Sequence, residues 1–287
     1  MHGSPNPRPA HSPRSLLVLL FVCGVILRGA INAPAQNESH KPARWTPEVM
    51  ISYHRLLETA MSPDGKWVAY TVSMPIMAGE KSEYRTHIFM ASVEGKSSFP
   101  FTQGDKSCTN PQWSPDGNWL AFLSARGGEK NNIWLIRALG GEAEKLTEAK
   151  SGVNNFKWSP DGERLAYTMN DSVTEEEEKN NKEKKDALVV DENFKYAHLY
   201  VIPIAKDAKG ERPVQRLTRG EFHVGNFDWS PDGKWLAFDH QVTPRVNDWP
   251  TTTISLAPAD SGASKPFFTK PFAVNPRFSP GWPMAGL

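Results

Sequence analysis

The groups that could do chemistry in these 287 residues are few and scattered: eight histidines, two cysteines and four acidic-rich turns. A hydrolytic nucleophile on an elbow needs Gly-x-Ser-x-Gly, because only a strained turn exposes the serine beside an oxyanion hole. No such pentapeptide occurs in the chain. His198, His223 and His240 read as strand or loop residues rather than bases. Cys108, in "KSCTNPQW", has no neighbouring base to make a thiolate and reads as a buried or idle thiol. Four glutamates, Glu175 to Glu178, could hold a cation or a substrate amine, but Lys179, Lys182, Lys184 and Lys185 follow them. The expectation there is a solvated, mobile loop. Asp64, Asp116, Asp161 and Asp232 each sit between Pro and Gly, so a turn explains them better than calcium does. Paired histidine spacing and Cys/His clusters are lacking. The sequence therefore assigns no catalytic residue, no cofactor, no metal ligand and no identified substrate-binding residue.

Those four aspartates are instead the marks of a repeat. "MSPDGKWVAY", "WSPDGNWLAF", "WSPDGERLAY" and "WSPDGKWLAF" recur with Asp at 64, 116, 161 and 232, at spacings of 52, 45 and 71. Proline presets the first corner of the turn, Asp bonds its own backbone and Gly accepts positive φ, so the phrase is a hairpin tip. Short alternating pieces such as "NNFKW" and "VGNFDW" precede it, and "KWLAF" or "ERLAY" follows. A third strand reads as "HIFMASV", "NIWLIRA", "HLYVIPI" or "TTISLAPA", and a fourth, short one as "EKLTE" or "VQRLTRG". Each period is thus a four-stranded antiparallel sheet, the unit of a β-propeller blade. The fold class is all-β: a partial propeller of about four blades plus the start of a fifth. Blades are expected at about 56–104, 107–149, 152–220 and 223–270, with the next beginning at 272–280. The long third period holds a charged insertion at about 171–193 between its second and third strands.

Ahead of the blades, Arg8 and Arg14 precede the apolar run Leu16 to Leu27, and Ala33-Pro34-Ala35 is a small-x-small cleavage pattern. This predicts a signal peptide over 1–35, too short an apolar run to span a bilayer, and hence a secreted or periplasmic protein without a stable membrane span. Once the signal and Cys23 are removed, Cys108 is left without a disulfide partner. An N-terminal segment over 36–55 follows, in which Thr46, Pro47 and Glu48 open a short helix. Lys and Arg total 33 against 32 Asp and Glu, so charge gives no nucleic-acid footprint.

The "WSPDGKWLAF" periods, the leading "TPEVM" and the charged insertion before "YAHLYVIP" together resemble the prolyl oligopeptidase family of serine peptidases (family S9). More narrowly they are similar to its dipeptidyl-aminopeptidase and acylaminoacyl-peptidase-like branches, over about Trp45 to Pro280, the WD40-like amino-terminal propeller. The resemblance implies a seven- or eight-bladed propeller over a carboxyl-terminal α/β-hydrolase domain, which carries a Ser-His-Asp triad and hydrolyses short peptides. That domain is expected to be this chain's packing partner and peptides its parent's substrates. By itself, this chain is expected to supply a non-catalytic gating propeller. The alternative is a TolB-like periplasmic propeller that binds proteins, since the same turn signature occurs there.

The fifth turn breaks off as "RFSPGWPMAGL". Regrouping the codons of "GWPMAGL" by one base forces Gly and Trp at the second and fourth triplets and permits "DGRWLAF", the missing repeat. Residues 281–287 are therefore expected to be an out-of-frame tail. Four blades and a strand are expected to be an arc of a larger ring, marginally stable and prone to aggregate alone.

Overall fold

A computed structural model describes residues 45–78, 81–183, 193–261 and 265–266. The expected signal peptide, the fifth repeat and the out-of-frame tail lie outside these residues. Two compact units divide the chain, Met1–Pro47 and Glu48–Leu287, and all the sheets belong to the second.

A short helix, α1 (Pro47–Ile51), precedes the first blade, which holds β1 (Arg55–Met61), β2 (Trp67–Ala78), β3 (Lys81–Ser92) and β4 (Ser98–Pro100). Blade 2 holds β5 (Cys108–Trp113), β6 (Trp119–Ser124), β7 (Asn132–Arg137) and β8 (Glu144–Lys145). Blade 3 holds β9 (Val153–Trp158), β10 (Arg164–Asn170), β11 (Ala197–Pro203) and β12 (Gln215–Arg216). Blade 4 holds β13 (His223–Trp229), β14 (Trp235–Gln241), β15 (Thr253–Pro258) and β16 (Lys265–Pro266). Each sheet runs in chain order and is antiparallel throughout, so the fold is a partial β-propeller.

Two elements differ from the sequence reading. In blade 1 the second and third strands extend well beyond "KWVAY" and "HIFMASV", pairing from Trp67↔Ser92 out to Ala78↔Lys81. Neither "SMPIM" nor "SEYRT" alternates, so periodicity gives no sign of this extension, and the pairing runs on through Pro75↔Tyr84 to the tip. The glutamate run, expected as mobile loop, is the helix α2 (Glu175–Lys182) between β10 and β11. Thr174 and Glu177 form a reciprocal capping box: Glu177 N donates to Thr174 Oγ1 at 3.2 Å, and Thr174 N donates to Glu177 Oε2 at 2.6 Å. Lys195 then pins Glu177 at 2.7 Å. Acidic residues in the first turn and lysines in the last suit the helix dipole.

The hairpin tips close as their chemistry predicts. In each, Gly N donates to Ser O at 2.9 Å, and the four glycines (65, 117, 162, 233) have φ between 68 and 73°. Each serine hydroxyl donates to the Asp two residues on, at 2.5 to 2.6 Å, and accepts the amide five residues on. The serine bond above all, together with the following backbone amide, holds the carboxyls of Asp64, Asp116 and Asp232 below the ordinary carboxylate range.

The same phrase also docks one blade on the next, which the turn reading does not anticipate. The indole N–H groups of Trp113, Trp158 and Trp229 donate to the carbonyls of Ala60, Gln112 and Lys157 on the preceding blade, at 3.0, 3.2 and 3.2 Å. Pro63, Pro115 and Pro160 lie against Gly117, Gly162 and Gly233 of the next tip, where an added Cβ would meet proline at 3.6, 3.3 and 3.8 Å. Between the sheets, three apolar clusters fill the interfaces: Ile88 with Leu120 and Phe122, Leu135 with Phe156 and Leu165, and Leu199 with Phe227 and Phe238.

Blade 1 presents the same positions to nothing in the described chain. Leu56 and Met61 are 71% and 63% exposed, whereas Cys108, Val153 and Val224, at the position of Leu56, are 0%, 4% and 2% exposed. Gly65 has no atom within 4 Å of an added Cβ.

Candidate functional site

The first strands of successive blades bond to one another, so their edges converge on the inside of the arc, where polar side chains repeat. Six residues before each turn Asp stand Glu58, Asn110, Asn155 and Asn226; four before it stand Ala60, Gln112, Lys157 and Asp228. The register slips in all four blades: at Leu56/Thr59, Thr109/Gln112 and Val224/Phe227 a β-bulge re-aims these side chains and leaves an amide outside the ladder, and in blade 3 the slip falls at Thr168/Met169, opposite Asn154.

Each freed amide finds a different acceptor. In blade 1, Glu58 N donates to Thr71 Oγ1 at 3.0 Å. In blade 4, Asn226 N and Nδ2 donate to the two oxygens of Asp239 at 3.0 and 2.9 Å. Blade 2 has Leu123 at that place on its second strand, so Asn110 N reaches across to Glu58 Oε2 of blade 1 at 2.7 Å. From there the network continues, since Asn110 Nδ2 donates to Asn155 Oδ1 at 3.1 Å. Gln112 Nε2 donates both to Asn110 Oδ1 at 3.0 Å and to Phe156 O at 2.8 Å. Lys157 pairs with Asp228 at 2.8 Å, joining blades 3 and 4. Asp239 is buried, and burial raises its carboxyl above the ordinary range. An added Cβ at Gly225 would collide with its Oδ1, so any larger residue there forces the carboxylate or the bulge to shift.

This inner edge is a row of amides with the Glu58 carboxylate and the Lys157–Asp228 ion pair. Three of the described histidines, His198, His223 and His240, lie elsewhere, at the junction of blades 3 and 4, and make contacts that sequence spacing does not reveal, whereas His87 sits on β3 of blade 1. His198 has Asp171 Oδ2 3.5 Å from Nε2 and Thr218 Oγ1 3.2 Å from Nδ1, an acid–imidazole–hydroxyl order. The hydroxyl is structural: Thr218 also takes the amide of Leu199 at 2.9 Å, as Thr102 takes that of Ile88 and Thr147 that of Ile133. Burial, then the nearby Arg216, pulls the His198 pKa down to about 4, so it is neutral and enclosed. His240 Nε2 lies 2.9 Å from Ser255 Oγ and 3.1 Å from Thr253 Oγ1. Strand register brings these together, His240 pairing with Thr253, and Ser255 is buried between strands rather than raised on an elbow. Burial lowers the pKa of both His223 and His240.

Cys108 is buried, with Arg126 Nη2 at 3.3 Å from its sulfur. The turn aspartates are saturated by serine and backbone donors. Among the described residues no group of three His, Cys, Asp or Glu is placed to hold a metal ion, and no helix is long and apolar enough to cross a membrane.

No family model matches the chain. It is 32% identical over 197 residues to the uncharacterized peptidase YuxL of Bacillus subtilis, matching 63% of this chain and 29% of that protein. It is 29% identical over 103 residues to a dipeptidyl-peptidase 5 of Porphyromonas endodontalis, matching 36% of this chain and 14% of that one. The acylaminoacyl peptidase of Pyrococcus horikoshii shares the fold with a TM-score of 0.55 at 18% identity, over 79% of this chain and 34% of that one. The chain spans less than a third of the length of the curated relatives it matches.

Proposed function

We propose that this chain, whose relatives are those of a family S9 peptidase and whose partial coverage fits the amino-terminal propeller portion, supplies the non-catalytic propeller of an exported peptide hydrolase. The parent would cleave short peptides by acyl transfer through a Ser-His-Asp triad in a carboxyl-terminal α/β-hydrolase domain. The propeller would admit and orient substrate along its polar inner edge. Export is supported by Arg8 and Arg14 ahead of the apolar run Leu16 to Leu27.

The observation that carries the reading is the leading face of blade 1. Leu56, Met61 and Gly65 occupy positions that every other blade covers with its predecessor, and here they are open. Such a face fits an arc of a larger ring whose remaining blades come from additional polypeptide, as the greater length of the relatives suggests. The test is to sequence the coding DNA downstream of the Phe278 codon and translate all three frames. Further blades followed by Gly-x-Ser-x-Gly are expected; blades followed by a stop would instead support a binding propeller of the TolB kind. In parallel, the purified 287-residue chain should turn over no chromogenic dipeptide and take up no fluorophosphonate, and labelling would overturn the non-catalytic assignment.

A further inference from the structure

The connection that carries α2 leaves blade 3 at Asp171 and returns at Tyr196 and Ala197, and blades 3 and 4 hold both ends. Asp171 N donates to Tyr196 O at 2.8 Å, closing the neck. On the outgoing side, Asp171 takes Arg216 Nη2 at 3.1 Å and faces His198 Nε2 at 3.5 Å. On the returning side, Ala197 N donates to His223 Nδ1 at 3.1 Å. That last bond exists only while the Nδ1 lone pair is free, because a proton there would set a donor against a donor.

We propose that this neck is an acid-sensitive clasp: neutral His223 holds its returning end at the junction of blades 3 and 4 by accepting from Ala197 N, and protonation of His223 frees that end while the blades stay folded. The groups around His223 and His198 make a second charge costly. Arg216 on β12 lies beside His198, with Arg219 next along the chain, and Tyr200 lies beneath the Arg216 guanidinium at 5.8 Å. Phe222 stands between His198 and His240, its centroid 5.7 and 4.8 Å from theirs. The opposing acids are Asp171, shared with Arg216, and Asp239, which is turned to Asn226. Burial lowers His223 below the ordinary imidazole value, so an opened neck binds a proton that the closed one does not in the window that begins at about pH 6.5 and runs downward. The closed neck is therefore fully favoured above that window and loses favour as pH falls through it.

The repeat supplies the control variant. Blade 2 carries Asn132 where blade 3 has His198, and its Oδ1 accepts from Thr147 Oγ1 and Ala149 N at 2.9 and 2.7 Å. Asparagine at 223 would likewise offer a permanent acceptor to Ala197 N. Hydrogen exchange of the whole chain, corrected for intrinsic rates, is expected to show neck amides at Asp171 and Ala197 losing at least about tenfold protection from about pH 7.5 to about pH 5. Ile133 in blade 2 should keep its protection, and the paired His198→Asn and His223→Asn variant should lose less than about twofold at the neck. The proposal is overturned if neck protection is independent of pH, if the variant loses it equally, or if Ile133 is lost in step. Should the variant fail to fold, imidazole resonances of the wild type decide the matter: the absence of a histidine titrating together with the neck amides overturns it.

Discussion

At the scale of single residues, the buried carboxylate of Asp239 imposes a requirement on its neighbour. It is held by the backbone and side chain of Asn226, and Gly225 gives it the room to sit there. Gly225→Ala is expected to cost about 2 kcal/mol or more, because either the carboxylate moves off its two donors or the bulge shifts. Denaturant titration checks this, and an unchanged midpoint would show that the bulge yields freely. The cross-blade indoles give a second case. Trp158→Phe keeps most of the apolar contact and leaves Gln112 O without its donor, for an expected loss of about 1 kcal/mol. Thermal melting of the variant reads that loss directly.

At the scale of elements, the repeated turn has two duties that its sequence does not separate. It reverses the chain through Ser, Asp and Gly, and it locks blades through Pro and the preceding Trp. Blade 1 keeps the first set and lacks the Trp, with Met61 in its place. Met61→Trp should therefore leave the stability of this chain within about 0.5 kcal/mol, since no described strand precedes β1 to offer the indole a carbonyl. A clear gain in melting temperature would mean that a covering strand is already present. Helix α2 shows the reverse dependence, a short polar helix set by its own cap. Thr174→Ala removes the hydroxyl that accepts Glu177 N and should cost the helix about 1 kcal/mol, read as faster exchange confined to residues 175–182.

For the molecule as a whole, the three interfaces between successive blades are buried, whereas among the described residues nothing covers the leading face of blade 1, and equivalent substitutions should diverge accordingly. Leu56→Ser and Met61→Ser are expected to raise the solubility of the 287-residue chain with little change in its melting temperature. Val153→Ser, at the same repeat position as Leu56 and buried, should cost about 2–4 kcal/mol. Comparing sedimentation and melting for the three variants separates a free face from a covered one. If all three destabilise alike, blade 1 is covered within this chain and the arc reading fails.

Turn chemistry and two-residue alternation act over a few neighbouring residues, so the repeat, the four-stranded period and the hairpin tips are legible in the amino-acid order alone. Ser-Pro-Asp-Gly closes the same way at Asp64 and at Asp232 whatever lies around it. The same order shows that Gly-x-Ser-x-Gly is lacking. The α2 helix was legible in principle from Thr174 and Glu177, but the lysines nearby suggested a loop, and the contact from Lys195 comes from across the insertion. Which residues meet between blades is set by folding and has no local signature. The reach of Glu58 to Asn110 spans 52 positions in the chain, and the bond exists because Leu123 cannot accept the freed amide in blade 2. His223 meets Ala197 across the step from one sheet to the next, and no local spacing encodes that approach. Local rules write the blade, whereas the inner edge and the histidine junction arise where separately written blades are pressed together and every buried donor must find an acceptor.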